Sequence, residues 1–363
     1  MAVEECSPSA SVLESTNHSG PEVLTPRSVD YDTNNDLELP ESTVRRHLEL
    51  RLLHHYLVNT SATFSAFHNP KVRVAWTVDV PQLANSYPSL LYALLSVSAL
   101  HLSKAKPQDL DMKAAHRRYL DLALRSHRKA IDRFDADSVD AVCFTSVLIV
   151  LDAFAALQDR AQGQSYEPPM QWLRMSNGAW NVFHLAWQWI RDGSPAAVTA
   201  LVRSTPILSD YESLFSERNR EEFADLLLPV RGESLNHDQR GGDLDDRETR
   251  DAYERTLSYI GSIRKAIRAG EHSLGICRWL LAFAVVLPGK MIELLEEKKP
   301  RALVVLAHYF ALAGPVAGDL EAVWWIGAIA RREVEGIQGC LPDEWHHLRT
   351  WPLAVTRAAI TES

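Results

Sequence analysis

The stretch YPSLLYALLSVSALHLSKAKP, residues 87–107, decides whether this chain is a membrane protein or a helical globular one. Its leucines recur at the i, i+3 and i+4 spacing of one face of an α-helix. Pro88 suits a first helical turn, and Pro107 ends the helix. Because serines and a histidine interrupt the run, and no part of the chain has 18 consecutive apolar residues, the sequence predicts a buried core helix and no membrane span.

The neighbouring segments also carry helical spacing. Residues 110–134 mix apolar positions with many charges, which predicts an amphipathic helix with one solvated face. Residues 140–157 are apolar nearly all round, which predicts a central helix covered on most sides. Ser42, after Pro40, is a candidate N-cap for the first ordered helix. Further helices are predicted at 170–190, 247–269, 274–287, 300–313 and 319–337, the last capped by Asp319.

The helical segments predict an all-α protein with a single large multi-helix domain. The chain has 363 residues, with a hydrophobic share of 46% and a charged share of 23%, which are ordinary values for a globular protein that buries a sizeable core. Few period-two runs of β-branched residues occur, so no strands are predicted. Residues 1–39 are polar with little to bury, so we expect a disordered N-terminal segment there and a helical domain at 40–363.

Charge, cysteines and motifs exclude several function classes. The net charge of -9 is spread along the chain without a basic patch, which argues against nucleic-acid binding. The 4 cysteines lie far apart and have no metal-ligand spacing, so we predict no metal site and a reduced, intracellular protein. The N-terminus lacks the features of a secretory signal. No dinucleotide-binding, P-loop, nucleophile-elbow or zincin motif occurs, so we expect no cofactor.

Five longer stretches carry a family resemblance. In chain order they are LELRLLHHYLVNTS, AWTVDVPQLANSYPSLLYALLSVSALHLS, RALVVLAHYFALAG, VWWIGAIARREVEGI and LPDEWHHLRTWPL. In this order they resemble the C-terminal regulatory domain of fungal zinc-cluster transcription factors, of the sterol uptake control type, over about residues 48–353. The resemblance implies a fungal source and a bundle of helices around an apolar pocket, which holds a sterol in the sterol-sensing members.

The cysteines depart from the pattern of that family. Its members carry a six-cysteine binuclear zinc cluster before the disordered linker that leads to the regulatory domain. The 4 scattered cysteines of this sequence cannot build such a cluster. We therefore expect no direct, sequence-specific DNA binding by these residues. The family resemblance instead implies action through a protein partner or as a homodimer, in the nucleus or the cytoplasm.

Two functions are compatible with these observations. The leading hypothesis is a non-enzymatic fungal regulator that binds a hydrophobic small molecule, sterol-like or terpenoid-like, and controls a metabolic or biosynthetic pathway. The alternative is a cofactor-independent cyclase or isomerase of secondary-metabolite biosynthesis that uses the same pocket for a terpenoid or polyketide. A fold alone does not decide between them.

Acidic residues supply the candidate catalytic groups. Asp152 lies in the apolar run SVLIVLDAFAALQ, where a buried, protonated carboxyl could donate a proton to an alkene or epoxide. The competing interpretation is an Asp152 that points outward and pairs with an arginine. Asp243, Asp245 and Asp246 form a D-x-D-D sequence similar to the acid motif of proton-initiated terpene cyclases, but their polar flanks are typical of helix capping or solvation.

Four residues are candidates for ligand binding. His308 and Tyr309 are neighbours in the apolar run VVLAHYFALAG, where their polar tips could orient a hydroxyl or carbonyl group. Trp324 and Trp325 begin VWWIGAIARREVEGI and could line a pocket wall. Core packing is the competing explanation for all four.

Overall fold

The regular secondary structure of this protein is helical. The computed structural model describes residues 42–64, 67–160, 165–190, 197–203, 211–230, 243–316 and 323–361. No strand occurs in those ranges, which confirms the all-α prediction. The helices belong to one compact unit, Pro40–Ser363. The disordered segment predicted at 1–39 lies outside the described residues.

The helices are numbered in chain order. The first eight are α1 (Thr43–His55), α2 (Pro70–Val74), α3 (Val80–Ala84), α4 (Pro88–Ala105), α5 (Leu110–Ile131), α6 (Val139–Ala155), α7 (Met170–Ile190) and α8 (Val198–Arg203). The next seven within the described ranges are α9 (Tyr211–Leu214), α10 (Arg247–Arg268), α11 (Ser273–Val286), α12 (Gly289–Glu296), α13 (Pro300–Ala311), α14 (Ile329–Cys340) and α15 (Thr350–Thr361). Short π-helical or 3-10 turns occupy Tyr56–Thr60, Ser61–Thr63, Ala75–Asp79, Ala156–Asp159, Glu217–Asn219, Glu221–Leu227, Asp243–Asp245 and Asp343–Arg349.

Local signals set where several helices begin. The Ser42 side chain accepts a hydrogen bond from the Arg45 amide at 3.1 Å, which confirms the predicted N-cap of α1. Asp109 caps α5 in the same way, accepting from the Met112 amide at 3.0 Å. A proline fills the first turn of α4 and of α13, where a missing backbone N–H costs nothing.

Helix α4, formed by the stretch quoted first, is buried along most of its length and packs on α5 and α6. Its polar residues find partners inside the protein. The Ser98 hydroxyl donates to the Leu52 carbonyl at 2.7 Å, and the Ser103 hydroxyl donates to the Leu100 carbonyl at 2.8 Å. The residues that interrupt its apolar run are therefore accommodated by hydrogen bonds within the core.

Helix α6 and the turn after it, Val139–Asp159, form a stretch long and apolar enough to cross a membrane, with a mean hydropathy of 2.0. Of its apolar window, 78% is buried by the rest of the protein. Helices α4, α5 and α7 pack around it, as expected for the central helix predicted at 140–157. Elsewhere in the described residues, α11 and α12 are together also long and apolar enough to cross a membrane, but they are bent by 82°.

The predicted helix at 319–337 differs most from the structure. Residues 323–328 form turns, and α14 begins at Ile329. Gly327 has a φ of +46°, in the left-handed region that favours glycine, so the chain turns here before α14 starts. The predicted cap Asp319 lies outside the described residues.

Candidate functional site

An apolar pocket with a cavity volume of about 110 Å³ lies between α6, α7, α8 and α11 and opens to solvent. The lining residues are Val147, Val150, Ala179, Trp180, Phe183, Leu201, Val202, Arg278, Leu281, Ala282, Val285 and Val286. All except Arg278 are apolar, so the pocket suits a hydrophobic molecule.

Each long helix presents one face to the pocket. Helix α6 contributes Val147 and Val150, three positions apart, and α11 contributes positions that recur every three or four residues from 278 to 286. The small side chains of Ala179 on α7 and Ala282 on α11 leave space where larger residues would fill the gap between helices.

Arg278 is the charged residue of the pocket lining. Its side chain is half-buried, and Nη2 donates to the Val202 carbonyl at 3.3 Å. Burial lowers the pKa of the guanidinium to about 10. Since this value is well above neutral pH, the side chain is positively charged beside an otherwise apolar surface.

Asp152 is buried, with 3% of its surface exposed, and lies on the side of α6 that faces α4 and α5. His116 Nε2 donates to its Oδ2 at 2.8 Å, and the Ser96 hydroxyl donates to the same oxygen at 3.2 Å. Two residues along a helix correspond to a rotation of about 200°, so Asp152 points away from the pocket that Val150 lines. Its partners are a histidine and a serine from two other helices.

The D-x-D-D residues lie before and at the start of α10. Asp243 Oδ1 pairs with Arg301 Nε at 3.1 Å. Asp246 caps α10 by accepting from the Thr249 amide at 2.9 Å, and hydrogen bonds from Thr249 lower the pKa of its carboxyl. Asp245 is exposed. None of the three acidic residues lines the pocket.

Arg301, the partner of Asp243, is completely buried at the start of α13. Its Nη1 donates to the Leu228 carbonyl at 3.0 Å and also to the Leu226 carbonyl. Its guanidinium carbon lies 5.0 Å from the centre of the Trp345 ring, a cation–π contact. No local signal in the chain indicates this burial, because an arginine in the first turn of a helix is usually solvated.

His308 and Tyr309 lie inside the core on α13. His308 Nδ1 donates to the Val304 carbonyl at 2.9 Å, and burial lowers the pKa of the imidazole to about 4, so the ring is neutral at physiological pH. The Tyr309 hydroxyl donates to the Leu280 carbonyl at 2.8 Å. Both polar tips therefore bond to the backbone, and neither residue lines the pocket.

Trp324 and Trp325 fix the turn before α14 against the residues after α1. Trp324 Nε1 donates to the Thr63 hydroxyl at 2.9 Å, and Trp325 Nε1 donates to the Thr63 carbonyl at 3.2 Å. The Trp324 ring stacks on His101 with centroids 4.6 Å apart. Neither indole lines the pocket.

No group of three or more His, Cys, Asp or Glu side chains is placed to hold a metal ion in the part of the chain that the structure describes. Cys143 is buried in α6, and burial raises the pKa of its thiol. That is the behaviour of a cysteine that packs as a small hydrophobic residue.

None of the eight candidate residues taken from the sequence lines the pocket. A signal for it was nevertheless present in α11. There, Arg278 shares one helical face with Leu281, Ala282 and Val285. A charge on an apolar face indicates either a buried ion pair or a site, and it was the clue that could have located the pocket.

Comparison with known proteins identifies the family. Residues 51–192 match the fungal specific transcription factor domain. A Zn(2)-C6 fungal-type transcription factor of Aspergillus fumigatus is 35% identical over 269 residues, which cover 74% of this chain and 68% of that protein. The chain belongs to the fungal Zn(2)-C6 transcription factor family. This confirms the resemblance seen in the sequence and supports a regulatory role inside the cell, in the nucleus or the cytoplasm.

Two further relatives extend the match beyond the domain. A Zn(2)-C6 fungal-type transcription factor of Gibberella zeae is 28% identical over 85% of this chain and 62% of its own length. Sterol uptake control protein 2 of Saccharomyces cerevisiae is 25% identical over 87% of this chain and 32% of its own length. The chain thus spans from about a third to about two thirds of the length of these relatives.

Proposed function

We propose that this chain is the regulatory part of a fungal transcription regulator whose output depends on a hydrophobic small molecule bound between α6, α7, α8 and α11. The observation that carries the proposal is the open, apolar pocket between four helices, with a cavity volume of about 110 Å³, in a member of a transcription factor family. Because two relatives are named sterol uptake control proteins, a sterol-like or terpenoid-like ligand is the first choice. Control of a metabolic or biosynthetic pathway is the corresponding role.

The walls of the pocket suggest how occupancy could change the output. Helices α6 and α7 lie within the matched domain at 51–192, whereas α11 lies beyond it. A ligand that packs on both α6 and α7 on one side and on α11 on the other stabilises the conformation in which these helices lie close together. Binding therefore shifts the population of molecules toward that conformation. A protein partner that binds this arrangement would then be recruited in response to the ligand.

A polar network connects the segment after α6 to α14, so the position of α14 depends on the position of α6. Arg160 Nη1 donates to Glu333 Oε1 at 2.8 Å, and the Tyr166 hydroxyl donates to Glu333 Oε2 at 2.8 Å. Arg332 donates to the carbonyls of Gln158 and Arg160. A shift of α6 would therefore displace charged groups at α14, where a partner could detect it.

Direct binding of a fluorescent sterol with conjugated double bonds, such as dehydroergosterol, tests the proposal. Energy transfer from the 10 tryptophans, one of which lines the pocket, reports occupancy. We expect saturable binding, and Ala282→Phe should weaken it at least tenfold because the added ring occupies the pocket. Asn181→Phe adds the same ring to an exposed position of α7 and should leave affinity unchanged.

The ligand is then recovered and analysed for chemical change. If the chain is a regulator, the sterol is recovered without chemical change. Terpenoid and polyketide intermediates incubated with the chain are then also recovered unchanged. Conversion to a cyclised or isomerised product would instead support the enzymatic alternative. Failure of the wild-type chain to bind the sterol or any other apolar probe, or equal binding by the Ala282→Phe variant, would contradict the proposal.

A further inference from the structure

We infer that the inner end of the pocket binds one neutral oxygen of the ligand, a hydroxyl or a carbonyl, through the Ser176 hydroxyl and the Trp172 indole N–H. The inference rests on the proposed ligand-binding function and adds to it the contact that sets specificity. It is carried by two buried polar atoms that lie next to the pocket and have no hydrogen-bond partner among the described residues.

Both residues lie on the face of α7 that lines the pocket. Ala179, a lining residue, follows Ser176 by three positions, and Ser176 follows Trp172 by four, so their side chains share one face of the helix. The Trp172 ring packs against Phe154, with ring centroids 5.3 Å apart. Phe154 lies about one turn of α6 beyond the lining residue Val150. The two polar groups therefore lie just beyond one end of the cavity.

The lack of a partner sets Ser176 apart from other buried residues of its kind. A serine or threonine inside a helix can donate to the carbonyl four residues earlier, as Thr145 and Thr256 do at 2.6 and 2.7 Å. The hydroxyl of Ser176, which has no exposed surface, makes no such bond. Trp172 is 1% exposed, and its Nε1 is also unbonded within the described ranges. Buried polar groups without partners are costly, so a ligand atom that bonds to them gains affinity.

The chemistry of the two groups fits a neutral oxygen. An indole N–H only donates, whereas a serine hydroxyl donates or accepts. A ligand hydroxyl can therefore accept from Trp172 and donate to Ser176, and a ligand carbonyl can accept from both. Neither group is charged, so a carboxylate buried here would not be neutralised by them. One oxygen on a large apolar body is the pattern of a sterol-like or terpenoid-like alcohol or ketone.

A ligand must widen the pocket to reach this end. Neither Ser176 nor Trp172 is among the residues that line the cavity, whose volume is about 110 Å³. A ligand therefore makes these contacts by separating α7 from the helices packed on it. The two unbonded groups favour that opening, because it gives them partners that their own surroundings do not supply.

Three ligands with the same rigid ten-carbon skeleton test the inference: bornane, borneol and camphor, which carry no oxygen, a hydroxyl and a carbonyl. Equilibrium dialysis with gas chromatography measures each dissociation constant. A pocket without polar partners would bind bornane most tightly, because the oxygenated ligands lose hydrogen bonds to water. We expect instead that borneol and camphor bind at least as tightly as bornane. Ser176→Ala should weaken both by about fivefold to tenfold and change bornane by less than about twofold.

Further variants separate the contact with the ligand from a structural role. Trp172→Phe removes the N–H, keeps an aromatic ring and should also weaken borneol and camphor more than bornane. Ser103→Ala removes a buried hydroxyl that does not line the pocket and should leave all three affinities unchanged. Thermal melting supplies the second readout. Ser176→Ala should melt no lower than wild type because its hydroxyl is unbonded, whereas Ser103→Ala loses a bond to the Leu100 carbonyl.

The outcomes separate this inference from the proposed function. Tighter binding of bornane than of borneol and camphor by the wild-type chain, or unchanged affinities in the folded Ser176→Ala variant, overturns the oxygen site. The proposed function still stands in that case if sterol binding remains sensitive to Ala282→Phe. If the sterol alone binds, an unchanged sterol affinity in Ser176→Ala also overturns the oxygen site. Absence of binding by all three ligands and by the sterol overturns both.

Discussion

Arg301 and Arg278 are both arginines surrounded by apolar residues, but the protein accommodates their charges in different ways. Arg301 is completely buried, pairs with Asp243 at 3.1 Å and donates to backbone carbonyls. Arg278 is half-buried and borders an open pocket with a cavity volume of about 110 Å³. A charge enclosed by its own chain serves the fold, whereas a charge beside open space can act on whatever enters that space.

The largest effect should come from removing the carboxylate that neutralises Arg301. Asp243→Ala removes a carboxylate that pairs with a fully buried guanidinium, so we expect the free energy of unfolding to fall by about 3–5 kcal/mol. Urea denaturation followed by circular dichroism measures it. Asp245→Ala, at an exposed position in the same acidic segment, should change stability by less than about 0.5 kcal/mol. A loss below about 1 kcal/mol for Asp243→Ala would contradict the structural role assigned to this pair.

His308 lies on the same helix as Arg301, and the pH dependence of stability tests whether burial keeps its imidazole neutral. The pKa of His308, on the same helix, is lowered from 6.5 to about 4 by burial. Between these values the unfolded state binds more protons than the folded state, so stability falls as pH drops from 6.5 toward 4. At about 1.4 kcal/mol per pKa unit, this histidine contributes up to about 3 kcal/mol of the loss.

Denaturation of the His308→Gln variant between pH 7 and pH 4 measures that contribution. The free energy of unfolding should fall less steeply as the pH drops below 6.5, because the variant lacks one buried histidine that must stay neutral in the folded state. His347→Gln, at an exposed position, should leave the slope unchanged. An unaltered slope in the His308→Gln variant would show that this imidazole titrates normally.

Much of the fold follows from local sequence signals. Helix α7 spans Met170–Ile190, the range that the spacing predicts, and α10 ends one residue before its predicted end. These boundaries depend on apolar periodicity and caps within a few residues of each other. Short helices such as α2 and α12 were missed, because segments of five to eight residues contain too few turns for periodicity to appear.

The site was much less predictable from the sequence. A polar residue in an apolar run, such as Asp152, draws attention as a candidate, but its partners His116 and Ser96 lie 36 and 56 positions away and give no local signal. The pocket likewise depends on Ala179 and Ala282 lining one space from different helices. Such pairings are set by tertiary packing, which a single sequence does not reveal.

Asp152 is a buried acidic residue that is paired with a histidine, whereas Asp243 is paired with an arginine. Removing Asp152 should therefore lower the free energy of unfolding by less than Asp243→Ala does. Asp152→Ala leaves His116 and Ser96 without their acceptor, so we expect a loss of about 1–3 kcal/mol in the free energy of unfolding. Asp152→Asn should lose less, because its amide oxygen can still accept from both. Asp159→Ala removes an exposed carboxylate paired with Lys104 and should lose no more than about 1 kcal/mol.

The same Asp152→Asn variant bears on the enzymatic alternative. If the chain converts a terpenoid or polyketide and Asp152 supplies the proton, product formation should fall by at least about 100-fold in a protein that still folds. Product analysis beside the denaturation curves gives this answer. An active and stable Asp152→Asn protein would eliminate Asp152 as the acid and leave its bonds to α4 and α5 as its role.

Arg278→Met, the counterpart of the Asp243 experiment, should change stability less than the removal of either Asp243 or Asp152. The substitution removes interactions of the guanidinium, among them the hydrogen bond to the Val202 carbonyl, worth about 0.5–1.5 kcal/mol, but it also removes the cost of keeping a charge beside apolar walls. Because the two contributions oppose each other, we expect the free energy of unfolding to change by less than about 1 kcal/mol in either direction. Urea denaturation of Arg278→Met and Asp243→Ala under the same conditions compares the two arginine environments directly. A loss above about 2 kcal/mol for Arg278→Met would mean that its guanidinium is as much a part of the fold as that of Arg301, and the contrast between the two arginines would no longer hold.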